Sequence, residues 1–449
     1  MLENDDSLLP SPKRKAVSRS ENASAAPKTA KKSSGHTPEQ VASPQLRVIS
    51  VGLESESVDE LDQLLLTLGA LPLDQVVASV RKINPATYIG AGKIDEIKAA
   101  VTRHEADSVI FDMELSPNQL RNLEKVIGKP VLDRPGVIIE IFSQHARTKE
   151  SKTQVSLARL QYLLPRLTHF WTHFERQRGG GTAARGMGEK QIEVDRRLIK
   201  KRISVLQQRL KDIEKERQVQ RAGRQDVLKV ALVGYTNAGK STLLNALTQS
   251  NVLAENKLFA TLDASVRTLD PNSHPPIVAI DTVGFINKLP PSLVASFRST
   301  LEELEEADLL LHVVDASHAQ GREQVEVTEQ ILKDLKVDEK PRITVLNKAD
   351  QLKGPGEKNR AKLMYPGAVM VSALNRDDVI RLRDLILEHF RKNLEVIELV
   401  VPYSESRLEA MLHAHGSIEV SRHLEKGTFY RLRIEKGWAQ KLKLEKYRL

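Results

Sequence analysis

Gly234-Tyr235-Thr236-Asn237-Ala238-Gly239-Lys240-Ser241 is the stretch on which the reading of this chain turns. It fills every fixed position of G-x-x-x-x-G-K-[ST], follows the apolar run Lys229 to Val233, and leads directly into the helical run Thr242 to Leu247. Strand, glycine loop and helix in that order make a phosphate cradle. The glycines let the backbone wrap the anion, Lys240 bridges the β and γ groups, and the Ser241 hydroxyl suits Mg²⁺.

Further motifs stand at the ends of the expected strands. Asp281-Thr282-Val283-Gly284 follows the apolar run Ile277 to Ile280, where Asp281 reaches Mg²⁺ through water and the Gly284 N–H senses a γ-phosphate. Asn347-Lys348-Ala349-Asp350 follows Ile343 to Leu346. A carboxylate at Asp350 accepts two hydrogen bonds from the guanine N1 and N2 edge, whereas adenine would leave the charge unpaired, so GTP is expected over ATP. Ser372-Ala373-Leu374, after the run Ala368 to Val371, is placed to offer backbone N–H to guanine O6. Upstream, Thr261 in Phe259-Ala260-Thr261-Leu262-Asp263 is the threonine that closes on Mg²⁺ and γ-phosphate. The expected site is therefore Gly234 through Thr242, Phe259 to Thr261, Asp281 to Gly284, Asn347, Lys348, Asp350 and Ser372 to Leu374. Lys240, Thr261 and Gly284 are its catalytic groups, and Ser241, Thr261 and Asp281 its metal ligands.

The chain's 449 residues exceed one ordinary domain several-fold. An absence of Cys removes disulfides, thiolate metal sites and thiol nucleophiles. No apolar run approaches the roughly 20 residues of a membrane span. The N-terminus carries Glu3, Asp5 and Asp6 where a targeting peptide would be basic, so a cytoplasmic protein is expected. The formal charge of +9 favours polyanionic partners.

Charge and pattern divide the chain. Residues 1–46 are Ser-, Ala-, Lys- and Pro-rich and too poor in large apolar groups to fold, so a disordered basic tail is expected. Residues 47–146 alternate strand and helix patterns, which implies a parallel α/β domain. Within it, Gly90-Ala91-Gly92-Lys93 is either a plain strand-to-helix connection or a turn whose N–H groups meet a phosphate. Over 147–225, Leu157, Leu160, Leu164 and Leu167, then Ile192, Ile199, Ile203, Leu206, Leu210 and Ile213, give the seam of an antiparallel helical hairpin. Basic residues there outnumber acidic ones by about 20 to 8. Its tip, from Arg176 to Glu189, is too glycine-rich to be helical. Arg176, Arg178, Gly179, Gly180, Gly181, Arg185, Arg196 and Arg197 are the candidate RNA contacts, with phosphate preferred over base stacking because aromatics are only 4% of the chain. Residues 226–394 read as a Ras-like P-loop GTPase domain, and 395–449 as a small α/β cap. The expected fold class is multidomain α/β.

Asn237, Phe259 to Asp263 and Asp281-Thr282-Val283-Gly284-Phe285 resemble the translation-factor-related GTPases, and more narrowly the HflX family of ribosome-dissociating GTPases. Asn84-Pro85-Ala86-Thr87-Tyr88-Ile89-Gly90-Ala91-Gly92-Lys93, Gln161-Tyr162-Leu163-Leu164-Pro165-Arg166-Leu167, and Arg185 to Arg197 are similar to that family too, with Met187 and Lys190 departing where Pro and Thr are expected. The resemblance implies a monomeric GTP-loaded factor that binds the large ribosomal subunit and its rRNA and splits ribosomes, with the hairpin directed toward the peptidyl-transferase region. It also implies a second, ATP-binding site in the N-terminal domain at the Gly90 and Gly92 turn, and places Asn237 where potassium-activated relatives hold K⁺. Phe285 stands where Ras-like switches carry the water-orienting Gln, so intrinsic hydrolysis is expected to be slow. The rival readings are a GTPase timer of an rRNA- or tRNA-binding factor and a signalling switch.

Overall fold

A computed structural model describes residues 45–169, 185–222, 227–248, 258–259, 262–263, 265–270, 273, 275–288, 303–392, 394–434 and 436–449. The expected tail up to residue 44 lies outside the described residues, as do Arg176, Arg178, Gly179, Gly180, Gly181, Ala260 and Thr261.

The first layer alternates strictly: β1 (Arg47–Gly52), α1 (Ser55–Leu68), β2 (Leu71–Val77), α2 (Ala91–His104), β3 (Ser108–Phe111), α3 (Pro117–Ile127), β4 (Val131–Asp133) and α4 (Arg134–His145). The strands are all parallel, in the order β2-β1-β3-β4. Local chemistry sets the boundaries. Gly69 stops α1 with φ 86°, and Ser116 and Gln119 form a reciprocal capping box ahead of α3. Helix α4 has no clean amphipathic period because it is buried on most sides, through Val137, Ile138, Ile139, Ile141 and Phe142.

Two helices form the arm, α5 (Lys149–Leu163) and α6 (Arg185–Ala222). Glu150 at the start of α5 pairs with Arg217 near the end of α6 at 2.7 Å, so the two run antiparallel. Two expectations need correction. Leu164 and Leu167 belong to a 3₁₀ turn over Leu164–His169, since Pro165 follows the last α-helical residues closely and has no N–H to continue their ladder. Residues 185–189 are helical and not part of a loop: first-turn N–H groups need no intrahelical partner, so Gly186 and Gly188 cost little there, and the good helix formers after them extend the helix backward.

The second sheet has the order β10-β9-β8-β5-β7-β6. Its strands are β5 (Leu228–Val233), β6 (Ser265–Asp270), β7 (Ile277–Asp281), β8 (Leu309–Asp315), β9 (Arg342–Asn347) and β10 (Val369–Met370), and its helices include α7 (Lys240–Thr248), α8 (Gly321–Asp334), α9 (Pro355–Met364) and α10 (Arg376–Lys392). Central β8 is buried at every position, as a parallel strand covered on both faces should be. Strand β6 pairs antiparallel to β7 at the sheet edge. It had no clear sequence signal, because its outward face is polar apart from the half-exposed Val266.

The last stretch is strand, helix, two strands: β11 (Glu395–Val401), α11 (Ser406–His415), β12 (Ser417–Leu424) and β13 (Gly427–Ile434), followed by the short α12 (Lys436–Lys441). Its antiparallel sheet is ordered β11-β13-β12. One apolar cluster joins the first layer to the second. Leu61, Leu64, Val137, Ile138, Phe142, Val155 and Ala158 pack with Tyr235, Leu258, Phe259, Leu262, Val283 and Ile286. Among the described residues, no helix is long and apolar enough to cross a membrane.

Candidate active site

The loop after β5 is shaped by steric necessity. Gly234 has φ 147°, and a Cβ on it would stand 2.1 Å from the Val313 carbonyl oxygen of β8. Gly239 has φ 90°, and a Cβ there would meet Asn347 Nδ2 at 2.3 Å. No other residue fits either place. Asn237 also takes a left-handed turn, φ 59°, a region that Asn tolerates better than most residues. Lys240 opens α7, is buried, and donates from Nζ to the Gly234 and Tyr235 carbonyls at 3.0 and 2.8 Å. Two of its three N–H directions are thus fixed and the ammonium is held under the loop.

Burial pushes the Lys240 ammonium down to about 8, with the Asp281 carboxylate opposing. A bound phosphate stabilises the charged form, so binding takes up a proton wherever the empty site has lost its own. Nucleotide affinity is expected to fall as pH rises above about 8, by up to roughly tenfold per pH unit. Calorimetric titration of GDP at pH 8.5 in buffers of different ionisation enthalpy checks this; zero proton uptake would refute it.

Around the loop the other motifs converge. Ser241 Oγ donates to Asp281 Oδ2 at 2.6 Å, while Asp281 Oδ1 is buried with no hydrogen-bond partner among the described residues. Thr282 is wholly buried and donates its hydroxyl to Leu232 O. Thr236 N–H donates to Phe285 O at 2.7 Å, and Phe285 N–H to Gly234 O at 3.1 Å, which zips the two loops together. Gly284 permits that approach: its Cβ would lie 2.7 Å from Thr236 Cα and 3.0 Å from Lys240 Nζ. Thr236 Oγ1 accepts the Phe259 N–H at 3.0 Å. Val283 and Phe259 are buried, and the Phe259 ring meets Phe142 edge-on at 4.7 Å. Thr242 sits half-buried in the first turn of α7.

At the other end of the loop, Asn347 Nδ2 donates to Ala238 O at 2.9 Å and its Oδ1 accepts the Ala373 N–H at 3.1 Å. One amide therefore ties three motifs. Asp350 is exposed and accepts the Ser372 hydroxyl at 2.6 Å. The three N–H groups expected to face guanine O6 all have partners within the chain: Ser372 to Asp378 Oδ2, Ala373 to Asn347, and Leu374 to Ser372 Oγ at 3.3 Å. An O6 contact thus requires an exchange, and the long Leu374 bond is the one held least.

Several supporting residues escaped the sequence. Asp315, buried at the end of β8, holds the Lys348 ammonium at 2.7 Å; a lone carboxylate closing an apolar strand was the available signal. Tyr235 donates its hydroxyl to Glu60 of α1 and accepts the Asn287 N–H. Glu60 pairs with the buried Arg134, which also binds Asp112 and the Asn287 carbonyl, and Lys288 reaches Asp112 at 2.6 Å. Nothing local announces these pairings. Gly90 and Gly92 are exposed where α2 begins, and Lys93 pairs there with Glu96 at 2.7 Å. On α6, Arg196 and Arg197 are exposed.

A glycine-loop phosphate cradle, a carboxylate beside its hydroxyl and an Asp at the base-facing end define a GTP-hydrolysing P-loop enzyme. Family models match in three consecutive blocks: one described as GTP-binding GTPase N-terminal over 55–143, one as GTP-binding GTPase Middle Region over 145–224, and one as 50S ribosome-binding GTPase over 229–348. GTPase HflX of Caldanaerobacter subterraneus subsp. tengcongensis is 42% identical over 383 residues, which is 85% of this chain and 88% of that one. GTPase HflX of Escherichia coli K12 is 41% identical over 369 residues, 82% of this chain and 86% of that one. The chain belongs to the HflX family of GTPases. Among solved structures, that of a GTP-binding protein from Sulfolobus solfataricus in complex with GDP is 26% identical and covers 76% of this chain and 98% of that one, with a TM-score of 0.42, a likeness too loose to build on.

Proposed function

We propose that this GTPase binds the large ribosomal subunit and its rRNA and dissociates ribosomes, with hydrolysis stimulated by the ribosome. The observation that carries the reading is the basic arm, with Arg196 and Arg197 exposed on α6, attached to a GTPase whose 229–348 block fits a family described as 50S ribosome-binding. In this reading residues 47–146, 147–225, 226–394 and 395–449 act as an α/β base, an rRNA-directed arm, the GTPase and a cap.

At the site, Gly234 through Thr242 hold the phosphates, with Lys240 supplying positive charge from below. Asp281 Oδ1, without a partner among the described residues, and the Ser241 hydroxyl beside it suit a hard, oxygen-ligated cation, so Mg²⁺ fits this pair. When bound, it neutralises charge developing on the β- and γ-phosphate oxygens. The Gly284 N–H faces the γ group, and Asp350 reads the guanine edge. Phe285 has no group to orient water and its side chain is buried, so this position supplies no water-orienting contact. We assign part of the deficit to K⁺ held beside Asn237. Equal turnover in sodium and potassium, unchanged by Asn237→Ala, would refute the assignment.

Sedimentation of ribosomes with the full chain in GTP and in GDP tests the whole reading. Splitting and subunit binding are expected in GTP and should weaken steeply with salt. Replacing residues 179–188 by a short neutral turn should leave GTP binding intact and abolish splitting. Binding without splitting in the parent would favour the timer reading, and no binding a signalling switch.

A further inference from the structure

The first turn of α5 is a junction. Asp263, which closes the loop carrying Phe259 and Leu262, sends its carboxylate there: Oδ2 accepts the Arg147 and Thr148 N–H groups at 3.0 and 3.2 Å, and Oδ1 accepts the Thr148 hydroxyl at 2.7 Å. Thr148 is itself the cap of α5, its hydroxyl accepting the Ser151 N–H at 3.1 Å. A carboxylate at this end also meets the positive pole of the helix. Partial burial pushes the Asp263 carboxyl up, but the hydroxyls of Thr148 and Ser151 and the two N–H groups outweigh it and hold the group below the usual carboxylate range. The second arm helix returns to the same turn, where Arg217 pairs with Glu150 at 2.7 Å and with Glu303 at 3.6 Å. The other end of the loop is fixed independently, Phe259 by the Phe142 ring and by Thr236 Oγ1. Phe259 is thus held at the phosphate-binding turn and Asp263 at the base of the arm.

We infer that Asp263 is a positioning residue of the GTPase reaction: it ties the loop that closes on the nucleotide to the first arm helix, so that arm position and hydrolysis rate are coupled through one carboxylate. This rests on the reading of Phe259 to Asp263 as that closing loop. The donor set makes a specific demand. Arg147 N–H, Thr148 N–H and the Thr148 hydroxyl all donate to the carboxylate, so Asp263→Ala removes all three bonds, whereas Asp263→Asn keeps an acceptor for the two N–H groups and an N–H for the Thr148 hydroxyl and should fail less.

Amide hydrogen exchange on the full chain, in GDP and in a non-hydrolysable GTP analogue, reads the coupling directly. In the parent, residues 147–152 should exchange at rates differing at least fivefold between the two nucleotides. Asp263→Ala should erase that difference and lower kcat about tenfold, with KM for GTP and GDP affinity within twofold, and Asp263→Asn should lower kcat less. Thr148→Val should add nothing in the Asp263→Ala background. A nucleotide-dependent change at 258–263 without one at 147–152, or an Asp263→Ala variant that keeps the parental difference, would overturn the inference. No change at 258–263 in the parent would overturn the underlying reading as well.

Discussion

Asp350→Asn is expected to lose GTP and gain xanthosine triphosphate. In the proposed reading the carboxylate accepts from both guanine donors, at N1 and N2; an amide presents one acceptor and one donor, and so leaves a guanine N–H facing another N–H. GTP affinity should fall by about three orders of magnitude or more, the penalty for unpaired polar groups in a site built to bond them. Xanthine carries a carbonyl at C2 and matches the amide. The fold should not suffer, because the Ser372 hydroxyl at 2.6 Å finds an acceptor in Asn as well as in Asp. Fluorescent-nucleotide titration measures the exchange, and equal GTP binding by variant and parent would sink the guanine assignment.

The second large effect is expected at Gly284→Ala. An added methyl would stand 2.7 Å from Thr236 Cα, and backbone cannot give way as the end of a side chain can. The loop after β7 must then separate from the phosphate loop, breaking the paired bonds between Thr236 and Phe285 and between Phe285 and Gly234. Displacing one N–H that stabilises transferring phosphate costs roughly 10²–10³ in rate. Single-turnover GTP hydrolysis should fall by about that factor while GDP, which has no γ group to meet Gly284, binds within a few-fold of the parent. Parallel loss of GDP binding would show that the methyl wrecks the cradle instead.

The phosphate loop was legible because its requirements are local. Val313 and Asn347 leave no room for a Cβ at Gly234 and Gly239, and the strand before the loop and the helix after it each have a period of their own. Asp350 was singled out through chemistry, since guanine and adenine differ in what they donate. The linkage of Tyr235 to Glu60, Arg134 and Asp112 was not, because it spans up to 175 positions and leaves no spacing to read. Helix α4 hid for the opposite reason: burial on most sides removed the alternation that announces a helix. Strand β6 hid at an edge where a polar outer face is tolerated, and Gly186 and Gly188 suggested a loop because their cost at a helix start is small.

The apolar cluster shared by the two layers decides what happens if the chain is divided. A fragment beginning near residue 226 would keep every motif that binds nucleotide. It would also carry Leu258, Phe259, Leu262, Val283 and Ile286 into water, each giving up roughly 1.5–3 kcal/mol of burial. Tyr235 would keep its phosphate-loop place and lose the Glu60 carboxylate that accepts its hydroxyl hydrogen bond. Such a piece would be prone to self-association through the very face that ought to respond to GTP. Its turnover would therefore describe a sticky fragment, and only chains retaining α1, α4 and α5 report how this enzyme handles its nucleotide.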